Sequence, residues 1–438
     1  MNVTAKRWLW LILYFVILLA PLIVILIGPR PGPRELWREL SVALGFTGLA
    51  LVGVQFIPTA RLQAFSNVFS MDEVYYFHQR ASVIGFTLVL AHPLILFLFN
   101  PETVRLLNPF TAPARAVFGL VALLAMIALV ITSIYRKELG IRYEIWRLVH
   151  ATLSVVMILG AMLHMLGVDY YLSLPWQRVL WIGLTVMWLG LIINTHFIRA
   201  LRKKRQPYKL VEVRQENEAT WTLALEPDGH AGLRFMPGQF AWITIERPPF
   251  SLRQHPFSFA SNAEQPERLE FTIGEAGDFT STVGQLAVGE VVYIDGPHGT
   301  FSIDRYDGPG YVFIAGGIGA PPVMSMLRTM AARGSRKPAW LFYGNPTPEM
   351  ITYAEELIEL EQTLDLQIVH VLEDPPDNWH GETGFINGDI LDRHLPKNRN
   401  DLICFICGPV PMIDAMLQAL DEIRVPLHNV HTEQYEMV

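Results

Sequence analysis

The stretch Tyr-Val-Phe-Ile-Ala-Gly-Gly-Ile-Gly-Ala-Pro-Pro, residues 311–322, has the order of a strand, a glycine loop and a helix start. The apolar run suits a buried parallel strand, and prolines are well tolerated in the first turn of a helix. Glycines allow the backbone to approach a pyrophosphate closely, and a helix N-terminus offers amide donors and a favourable dipole. A plain strand–turn–helix is the alternative explanation. The stretch therefore favours a nucleotide-binding unit.

Strands and helices alternate on the C-terminal side of this loop. Further apolar strands are expected at 339–343, 366–372 and 402–407, an order that predicts a parallel α/β sheet. Cys407-Gly408-Pro409 ends the last strand, at the edge where ligands of open α/β sheets bind. The spacing of Cys404 and Cys407 suggests a zinc or redox pair, but the sequence has no second CxxC. We interpret both as reduced thiols on a strand.

The region 208–304, on the N-terminal side, alternates between apolar and polar residues with Pro and Gly punctuation. This pattern is typical of a small antiparallel barrel. Within it, His255-Pro256-Phe257-Ser258 places an aromatic ring beside a hydroxyl, as an isoalloxazine requires for stacking and hydrogen bonding. Gly277-Asp278-Phe279-Thr280-Ser281-Thr282 offers amides and hydroxyls suited to a diphosphate, although a capped helix start explains it equally well.

Residues 1–206 have a different composition, with 19 Lys and Arg against 8 Asp and Glu, whereas the remainder carries a net charge of −18. This division excludes a nucleic-acid binder, a disordered protein and a single-domain soluble enzyme. Six apolar segments each approach the roughly 20 residues that cross a bilayer core. These segments are Trp8–Ile27, Leu40–Ile57, Val74–Phe99, Ala116–Ile134, Ile145–Leu166 and Val179–Phe197.

Basic residues predict the orientation of these segments. With both termini in the cytoplasm, that side receives the larger share of Lys and Arg, including the run Arg202-Lys203-Lys204-Arg205. The first segment is too long for a signal peptide and lacks a small-residue cleavage site, so we interpret it as a retained helix. We therefore expect a multi-pass protein of the cell membrane with cytoplasmic termini.

Four histidines lie in two of these segments at one spacing. His78 and His92 share the third segment, His150 and His164 share the fifth, and both pairs are 14 positions apart. On a helix this spacing returns to nearly the same face about 21 Å further along the axis. The segments run parallel, so His78 can face His150 and His92 can face His164. Two stacked bis-histidine haems fit this pattern, and a proton relay is the main alternative.

With these motifs the sequence resembles the NADPH oxidase and ferric reductase superfamily over nearly its whole length. The resemblance implies haem-iron ligands at His78, His92, His150 and His164, and catalytic roles for Cys407 and for Tyr435, an aromatic against the flavin. It also implies cofactor-binding residues at His255, Pro256, Phe257, Ser258, Thr272, Phe279, Thr280, Ser281, Thr282, Gly316, Gly317, Ile318, Gly319, Pro321, Tyr343, Gly344, Asn345, Gly408 and Pro409.

The implied fold has three domains, which we expect at 1–206, 207–306 and 307–438. They are a six-helix transmembrane bis-haem bundle, an antiparallel β-barrel flavin domain, and an α/β parallel-sheet nucleotide domain of the ferredoxin reductase type. The implied enzyme is an NAD(P)H oxidase that uses FAD and two haems b to reduce external O₂ to superoxide. A ferric-chelate reductase is the alternative within this class. Calcium control is not expected, because no EF-hand loop is present, and neither nucleic acid nor an obligate protein partner is indicated.

A nucleotide-regulated transporter is the alternative from another class. It predicts acidic residues scattered within the membrane segments, but those of the third and fifth, Glu73 and Glu144, lie at their ends. For the electron donor, NADPH-preferring relatives often carry an arginine after the strand that ends at Gly344. This chain has neither Arg nor Lys from there until Arg393. We therefore expect NADH and NADPH both to be accepted unless Arg328, Arg333 or Arg336 reaches the 2′-phosphate.

Overall fold

The computed structural model describes residues 3–27, 32 and 34–434. The chain forms two compact units, Met1–Ala200 and Leu201–Val438. Each is described by itself below.

The first unit is helical throughout the part that the structure describes. Its helices, with the last crossing into the second unit, are α1 (Val3–Leu26), α2 (Leu36–Val54), α3 (Phe56–Thr59), α4 (Gln63–Ser66), α5 (Met71–Phe99), α6 (Ala114–Ile134), α7 (Tyr143–Val168), α8 (Pro175–Ile193) and α9 (Arg199–Lys204). A 3₁₀ turn, Pro101–Leu107, follows α5, and a π-helical turn, Asn194–Ile198, joins α8 to α9.

Six helical segments within the described residues are long and apolar enough to cross a membrane, with mean hydropathies from 1.6 to 3.0. Their outward faces carry large exposed apolar side chains such as Trp8, Val179 and Val186, which are 62%, 68% and 63% exposed. Such a surface is costly in water and favourable against lipid. The six-helix prediction is therefore confirmed, and the chain is a multi-pass membrane protein.

Small residues allow α2 to pack closely along α5. A β-carbon on Gly48 would lie 2.8 Å from the carbonyl oxygen of Gly85, and one on Gly85 would lie 2.6 Å from Val52. Gly160 has the same role where α7 meets α6, since a β-carbon there would lie 3.0 Å from the carbonyl oxygen of Phe118. Close backbone approach at small residues is the usual mode of helix association in bilayers. These contacts hold the two histidine-bearing helices, α5 and α7, against separate partners.

The second unit begins with an antiparallel sheet in the order β4-β3-β6-β1-β2-β5. Its strands are β1 (Pro207–Asn217), β2 (Thr220–Pro227), β3 (Phe240–Ile245), β4 (His255–Ser258), β5 (Leu269–Gly274) and β6 (Val291–His298). The sheet curls until its edges meet, because Phe259, just after β4, forms an isolated bridge with Phe271 on β5. Both rings are fully buried and lie 4.9 Å apart between centroids. The expected antiparallel architecture is confirmed as a curled sheet.

A second, parallel sheet follows in the order β10-β9-β8-β7-β11-β12. Its strands are β7 (Tyr311–Gly316), β8 (Ala339–Asn345), β9 (Leu366–Leu372), β10 (Glu382–Thr383), β11 (Ile403–Gly408) and β12 (Val430–Gln434), and its helices are α10 (Ala320–Ala332), α11 (Ala354–Thr363), α12 (Gly388–His394) and α13 (Val410–Glu422). Strands β8, β9 and β10 lie in chain order on one side of β7, and strands β11 and β12 lie on its other side. The order thus reverses between β7 and β11, a switch point where ligands of such sheets bind.

Candidate functional site

The structure brings the four membrane histidines together as two pairs, one from α5 and one from α7 in each. The ring centroids of His78 and His150 lie 6.4 Å apart, and those of His92 and His164 also lie 6.4 Å apart. Two imidazoles on opposite sides of one metal, each bonded at about 2.0 Å, have centroids about 6.2 Å apart, given about 1.1 Å from nitrogen to ring centre. Both pairs therefore have the separation that a shared metal requires.

Three of these rings are anchored through Nδ1. The Nδ1 atom of His92 lies 3.0 Å from the carbonyl oxygen of Ser41, and that of His164 lies 2.8 Å from the carbonyl oxygen of Arg115. The Nδ1 atom of His150 lies 3.2 Å from Oγ of Ser133. That hydroxyl donates its own proton to the carbonyl of Leu129 at 2.7 Å, so it accepts from the imidazole. A donor role at Nδ1 leaves Nε2 as the ligating nitrogen.

A cavity of about 480 Å³ adjoins the His92–His164 pair. Gly45 and Gly119 border it, where β-carbons would lie 3.1 Å from Cγ of His92 and 2.7 Å from Nδ1 of His164. Glycine at these two positions therefore leaves room for the rings. The cavity has the size of a site for a large organic cofactor, and most of its lining is apolar.

Each pair supplies only two ligands to a metal. Across residues 3–27, 32 and 34–434, no group of three or more His, Cys, Asp or Glu side chains is arranged to hold a metal ion. A metal between two imidazoles needs its remaining ligands from another source, such as the four nitrogens of a porphyrin. The pairs therefore suit bis-histidine haem better than a metal ion held by protein alone.

The motif His255-Pro256-Phe257-Ser258 forms β4, an edge strand that pairs antiparallel with β3. The ring of His255 stacks on Phe279 with centroids 4.1 Å apart and planes within 1°. The ring of Phe257 lies 6.3 Å from that of Phe279. The two sequence-predicted segments, 255–258 and 277–282, therefore share one aromatic surface. Proline suits an edge strand because it cannot donate to the ladder.

Hydroxyl groups order the neighbouring turn. Oγ1 of Thr280 accepts from the amides of Ala276 and Gly277, each at 2.8 Å, and Oγ1 of Thr282 donates to the carbonyl of Phe279 at 2.8 Å. Ser281 donates more weakly to the carbonyl of Asp278, at 3.3 Å. The predicted diphosphate segment is thus a preformed 3₁₀ turn.

Thr272, also predicted from the sequence, lies on the neighbouring strand β5. It is buried on β5, and its hydroxyl shares a 2.7 Å hydrogen bond with that of Thr222 on β2.

The glycine loop lies at the switch point of the parallel sheet. Gly317 has a φ of +50°, and its carbonyl accepts from the hydroxyl of Tyr343 at 3.1 Å. A β-carbon on Gly319 would lie 2.1 Å from the carbonyl oxygen of Cys407, and one on Gly316 would lie 2.5 Å from Sδ of Met412. The loop is therefore packed directly against the turn after β11, and α10 begins from it with Pro321 in its first turn. This is the arrangement of a pyrophosphate site.

The two cysteines are buried thiols on the same strand and do not form a disulfide. Burial raises the pKa of the Cys404 thiol to about 12, so it is an unreactive core side chain. Cys407 lies two residues before Pro409, where the strand meets the glycine loop. Gly344 and the buried Asn345 end β8 at the same edge of the sheet. Tyr435 lies outside the described residues.

Three known domain families match successive parts of the chain. The ferric reductase like transmembrane component matches residues 44–161, an FAD-binding domain matches 209–302, and an oxidoreductase NAD-binding domain matches 313–418. The chain has the architecture of the NADPH oxidase and ferric reductase superfamily. It is an oxidoreductase with domains for FAD and a nicotinamide nucleotide.

The relatives found among known proteins match only part of the chain. The reductase component of propane 2-monooxygenase from Rhodococcus jostii is 31% identical over 225 residues, covering 49% of this chain and 59% of that protein. NADH-cytochrome b5 reductase 1 from Debaryomyces hansenii is 35% identical over 148 residues, covering 33% and 52%. The chain thus spans about half to three-fifths of the length of these relatives. A flavohemoglobin from Malassezia yamatoensis has a similar fold, with a TM-score of 0.50 at 18% identity, covering 91% and 96% of the two chains.

Sequence reasoning missed the groups that anchor the paired histidines. Ser41, Ser133 and the carbonyl of Arg115 lie on helices other than those of the rings they contact. Serines inside apolar segments were a visible signal, since a hydroxyl in a bilayer needs a partner, and the hydroxyl of Ser41 donates to the carbonyl of His92 at 2.7 Å. The carbonyl of Arg115 carried no signal, because every residue has one.

Proposed function

We propose that this protein is a transmembrane NAD(P)H oxidase that passes electrons from cytoplasmic NAD(P)H through FAD and two b-type haems to external O₂, producing superoxide. Its domains would be residues 1–206, 207–306 and 307–438. The observation that carries the proposal is the pair of histidine sites, each with a centroid separation of 6.4 Å. His78 and His150 would hold the inner haem, and His92 and His164 the outer one. The excess of basic residues at the proposed cytoplasmic face supports the orientation.

When bound, the flavin would accept a hydride and release its electrons one at a time, and each haem iron would carry one electron. The chain's own residues bind and orient these groups. Ser41, Ser133 and the carbonyl of Arg115 hold three imidazoles with Nε2 free to ligate. The aromatic surface at His255, Phe257 and Phe279 would seat the flavin. The backbone amides of the glycine loop 317–319 and of Ala320, together with the dipole of α10, would bind the pyrophosphate of the donor.

A ferric chelate is the second candidate for the acceptor. Arg34, Arg38 and Arg115 line the cavity beside His92 and His164. Their positive charge would attract an anionic chelate such as ferric citrate and raise its local concentration. The ferric reductase like match points to the same chemistry.

Competition between acceptors distinguishes the two candidates. We expect purified full-length protein with FAD and NADH to consume O₂ and to reduce a superoxide probe in a reaction that superoxide dismutase blocks. Saturating ferric citrate should lower O₂ uptake less than twofold, because a small neutral acceptor needs no charged docking site. If ferric citrate lowered O₂ uptake more than tenfold, and ferrous iron formed in proportion to the NADH consumed, the protein would be a ferric-chelate reductase instead. A visible spectrum without a Soret band that shifts on reduction would contradict both.

The choice of donor depends on the groups near the end of β8. Arg333 is committed to Glu264 at 2.6 Å and to Asp304 at 2.5 Å. Arg328 is likewise engaged by carboxylates, Glu356 at 2.6 Å and Glu270 at 3.0 Å.

Acidic residues lie close to the same place. The amide of Asp374 donates to the carbonyl of Pro346 at 2.9 Å, and the side chains of Asp374, Glu373 and Glu349 are exposed. A 2′-phosphate bound there would therefore meet negative charge.

We expect both donors to be accepted. The kcat/KM for NADH should exceed that for NADPH by about one to two decades, because the 2′-phosphate lacks one charge-assisted hydrogen bond worth roughly 1.5–3 kcal/mol. The double change Glu373→Gln and Asp374→Asn should narrow this ratio by removing repulsion, whereas Glu359→Gln, on exposed α11, should leave it unchanged. Steady-state kinetics with the two donors provide the measurement. An NADPH preference beyond a hundredfold would mean that an arginine does reach the phosphate.

A further inference from the structure

A polar stripe runs along α10 on one face of the helix. Ser325, Arg328, Thr329 and Arg333 are spaced three, one and four positions apart, which places them on neighbouring turns of a single side. Each bonds to the segment 260–264, which begins two residues after β4. The contacts are Ser325 Oγ to Ser261 O at 2.8 Å, Arg328 Nη1 to Ala260 O at 2.7 Å, Ala263 N to Thr329 Oγ1 at 3.0 Å, and Arg333 Nε to Glu264 Oε1 at 2.6 Å.

Arg328 makes more hydrogen bonds than the other members of the stripe. Its guanidinium makes a two-pronged contact with Glu356 on α11, Nε and Nη2 each donating at 2.6 Å. Nη1 also donates to Glu270 on β5 at 3.0 Å. The side chain is only 12% exposed. One residue therefore joins the curled sheet, the segment after β4 and a helix of the parallel sheet.

Tyr353 completes this cluster. The guanidinium carbon of Arg328 lies 5.2 Å from the centre of its ring, and the ring is buried. Tyr353 has a φ of +63°, a left-handed conformation that is strained for a bulky residue. The surrounding packing maintains this strain, so the position of the ring is fixed against the cation. The cluster thus has one well-defined geometry, with bonds that a lysine could not reproduce.

The stripe connects the two sites that must meet in the reaction. The N-terminus of α10 follows the glycine loop 316–319, and the segment 260–264 follows the strand 255–258. We propose that the stripe sets the distance and angle between the bound nicotinamide and the flavin, with Arg328 as its principal positioning residue. This inference rests on the proposed function. It concerns hydride transfer, in which two electrons and one proton leave the nicotinamide ring and arrive at the flavin, giving NAD(P)⁺ and reduced flavin.

A buried ionic cluster at this place is suited to fixing the relative position of the two bound rings. Replacing a buried ion cluster with apolar groups is often neutral for stability, so stability alone does not explain such a cluster. Transfer between two bound rings is sensitive to small displacements, and a misplacement of about 1 Å can cost roughly a hundredfold in rate. A short helix docked at four successive points limits such displacement better than apolar contact, which has no direction.

First-turnover kinetics of full-length protein test the proposal. Arg328→Met should lower the limiting rate of NADH oxidation per bound flavin at least tenfold under anaerobic rapid mixing. The NADH concentration at half-maximal rate and the FAD content should change less than twofold. Arg328→Lys should fall between, since it keeps the charge but not the two-pronged contact.

Arg399→Met is the matched control. Arg399 is also 12% exposed, and it bonds to Asp392 at 2.5 Å and to the carbonyl of Ile423 at 3.1 Å, away from the stripe. The Arg399→Met protein should lose about as much thermal stability as Arg328→Met, but its limiting rate of NADH oxidation per bound flavin should stay at the wild-type value. If Arg328→Met fails to fold, Ser325→Ala with Thr329→Val removes two other bonds of the stripe and should give a smaller loss of the same kind.

The possible results separate the two proposals. A wild-type limiting rate per flavin in the folded Arg328→Met protein, or in the Ser325/Thr329 double variant, overturns the positioning role only. Equal slowing in the Arg399→Met control also overturns it, because the effect would then be general. Failure of the wild-type protein to oxidise NADH at all overturns the proposed function together with this inference.

Discussion

Replacing His92 with leucine should remove one of two haems from the purified protein and abolish reduction of external acceptors. Leucine cannot ligate a metal, and the remaining partner, His164, supplies one axial ligand where a bis-histidine site needs two. His164→Leu should give the same result, because the two rings share one site. Haem quantified by pyridine haemochrome should fall from two per chain to one. First-turnover NADH oxidation should persist, because donor and flavin bind in the other unit.

His196→Leu serves as the control for this experiment. His196 is also a membrane-segment histidine, but it lies in the π-helical turn Asn194–Ile198 and belongs to neither pair. Both haems should remain in this variant. Retention of two haems in His92→Leu would show that the assignment of ligands is wrong, and the proton-relay interpretation would then gain support.

Gly319→Ala should nearly abolish the use of either nucleotide while FAD remains bound. A β-carbon there would lie 2.1 Å from the carbonyl oxygen of Cys407, closer than real contacts allow, and a backbone atom cannot move aside as a side chain can. The start of α10 must therefore shift off the end of β11, which removes the amides from the pyrophosphate. We expect kcat/KM for NADH to fall more than a hundredfold, with a similar loss for NADPH.

Gly388→Ala is the matched control within the same parallel sheet domain. A β-carbon at Gly388 would make ordinary contact, 3.7 Å from Cβ of Ala419, so the change should be nearly neutral. Nucleotide affinity measured by titration and released FAD measured by fluorescence provide the two readouts. Wild-type kinetics in Gly319→Ala would mean that the loop does not bind the pyrophosphate.

Local patterns predicted much of the architecture. A bilayer demands about 20 apolar residues per helix and satisfaction of every backbone group, so composition alone identifies the membrane segments. The 14-residue spacing of the histidines predicts a shared face because helical periodicity is a property of the chain itself. The order strand, glycine loop, helix start at 311–322 is equally local, and the structure has β7, the loop and α10 in that order.

Contacts between distant segments followed no such pattern. The resemblance predicts Thr272 among the cofactor-binding residues, and only the pairing of β2 with β5 reveals that its hydroxyl also bonds to that of Thr222. The sequence leaves Arg328 and Arg333 as candidates for binding a 2′-phosphate, whereas folding engages them with carboxylates 28 to 69 positions away in the chain. A long flexible side chain has many possible partners, and its sequence neighbours do not choose among them.

The kind of protein can be identified from local sequence patterns: membrane helices, histidines at matching levels, and two sheets with their glycine and aromatic motifs. These are consequences of hydrophobicity and of repeat distances within single elements. The anchors of the imidazoles, which come from residues 51, 49 and 17 positions away, and the docking of α10 on the segment after β4 are visible only in the folded chain. The reason is that such contacts depend on how whole elements pack, which is fixed by the sum of many weak interactions rather than by any local pattern.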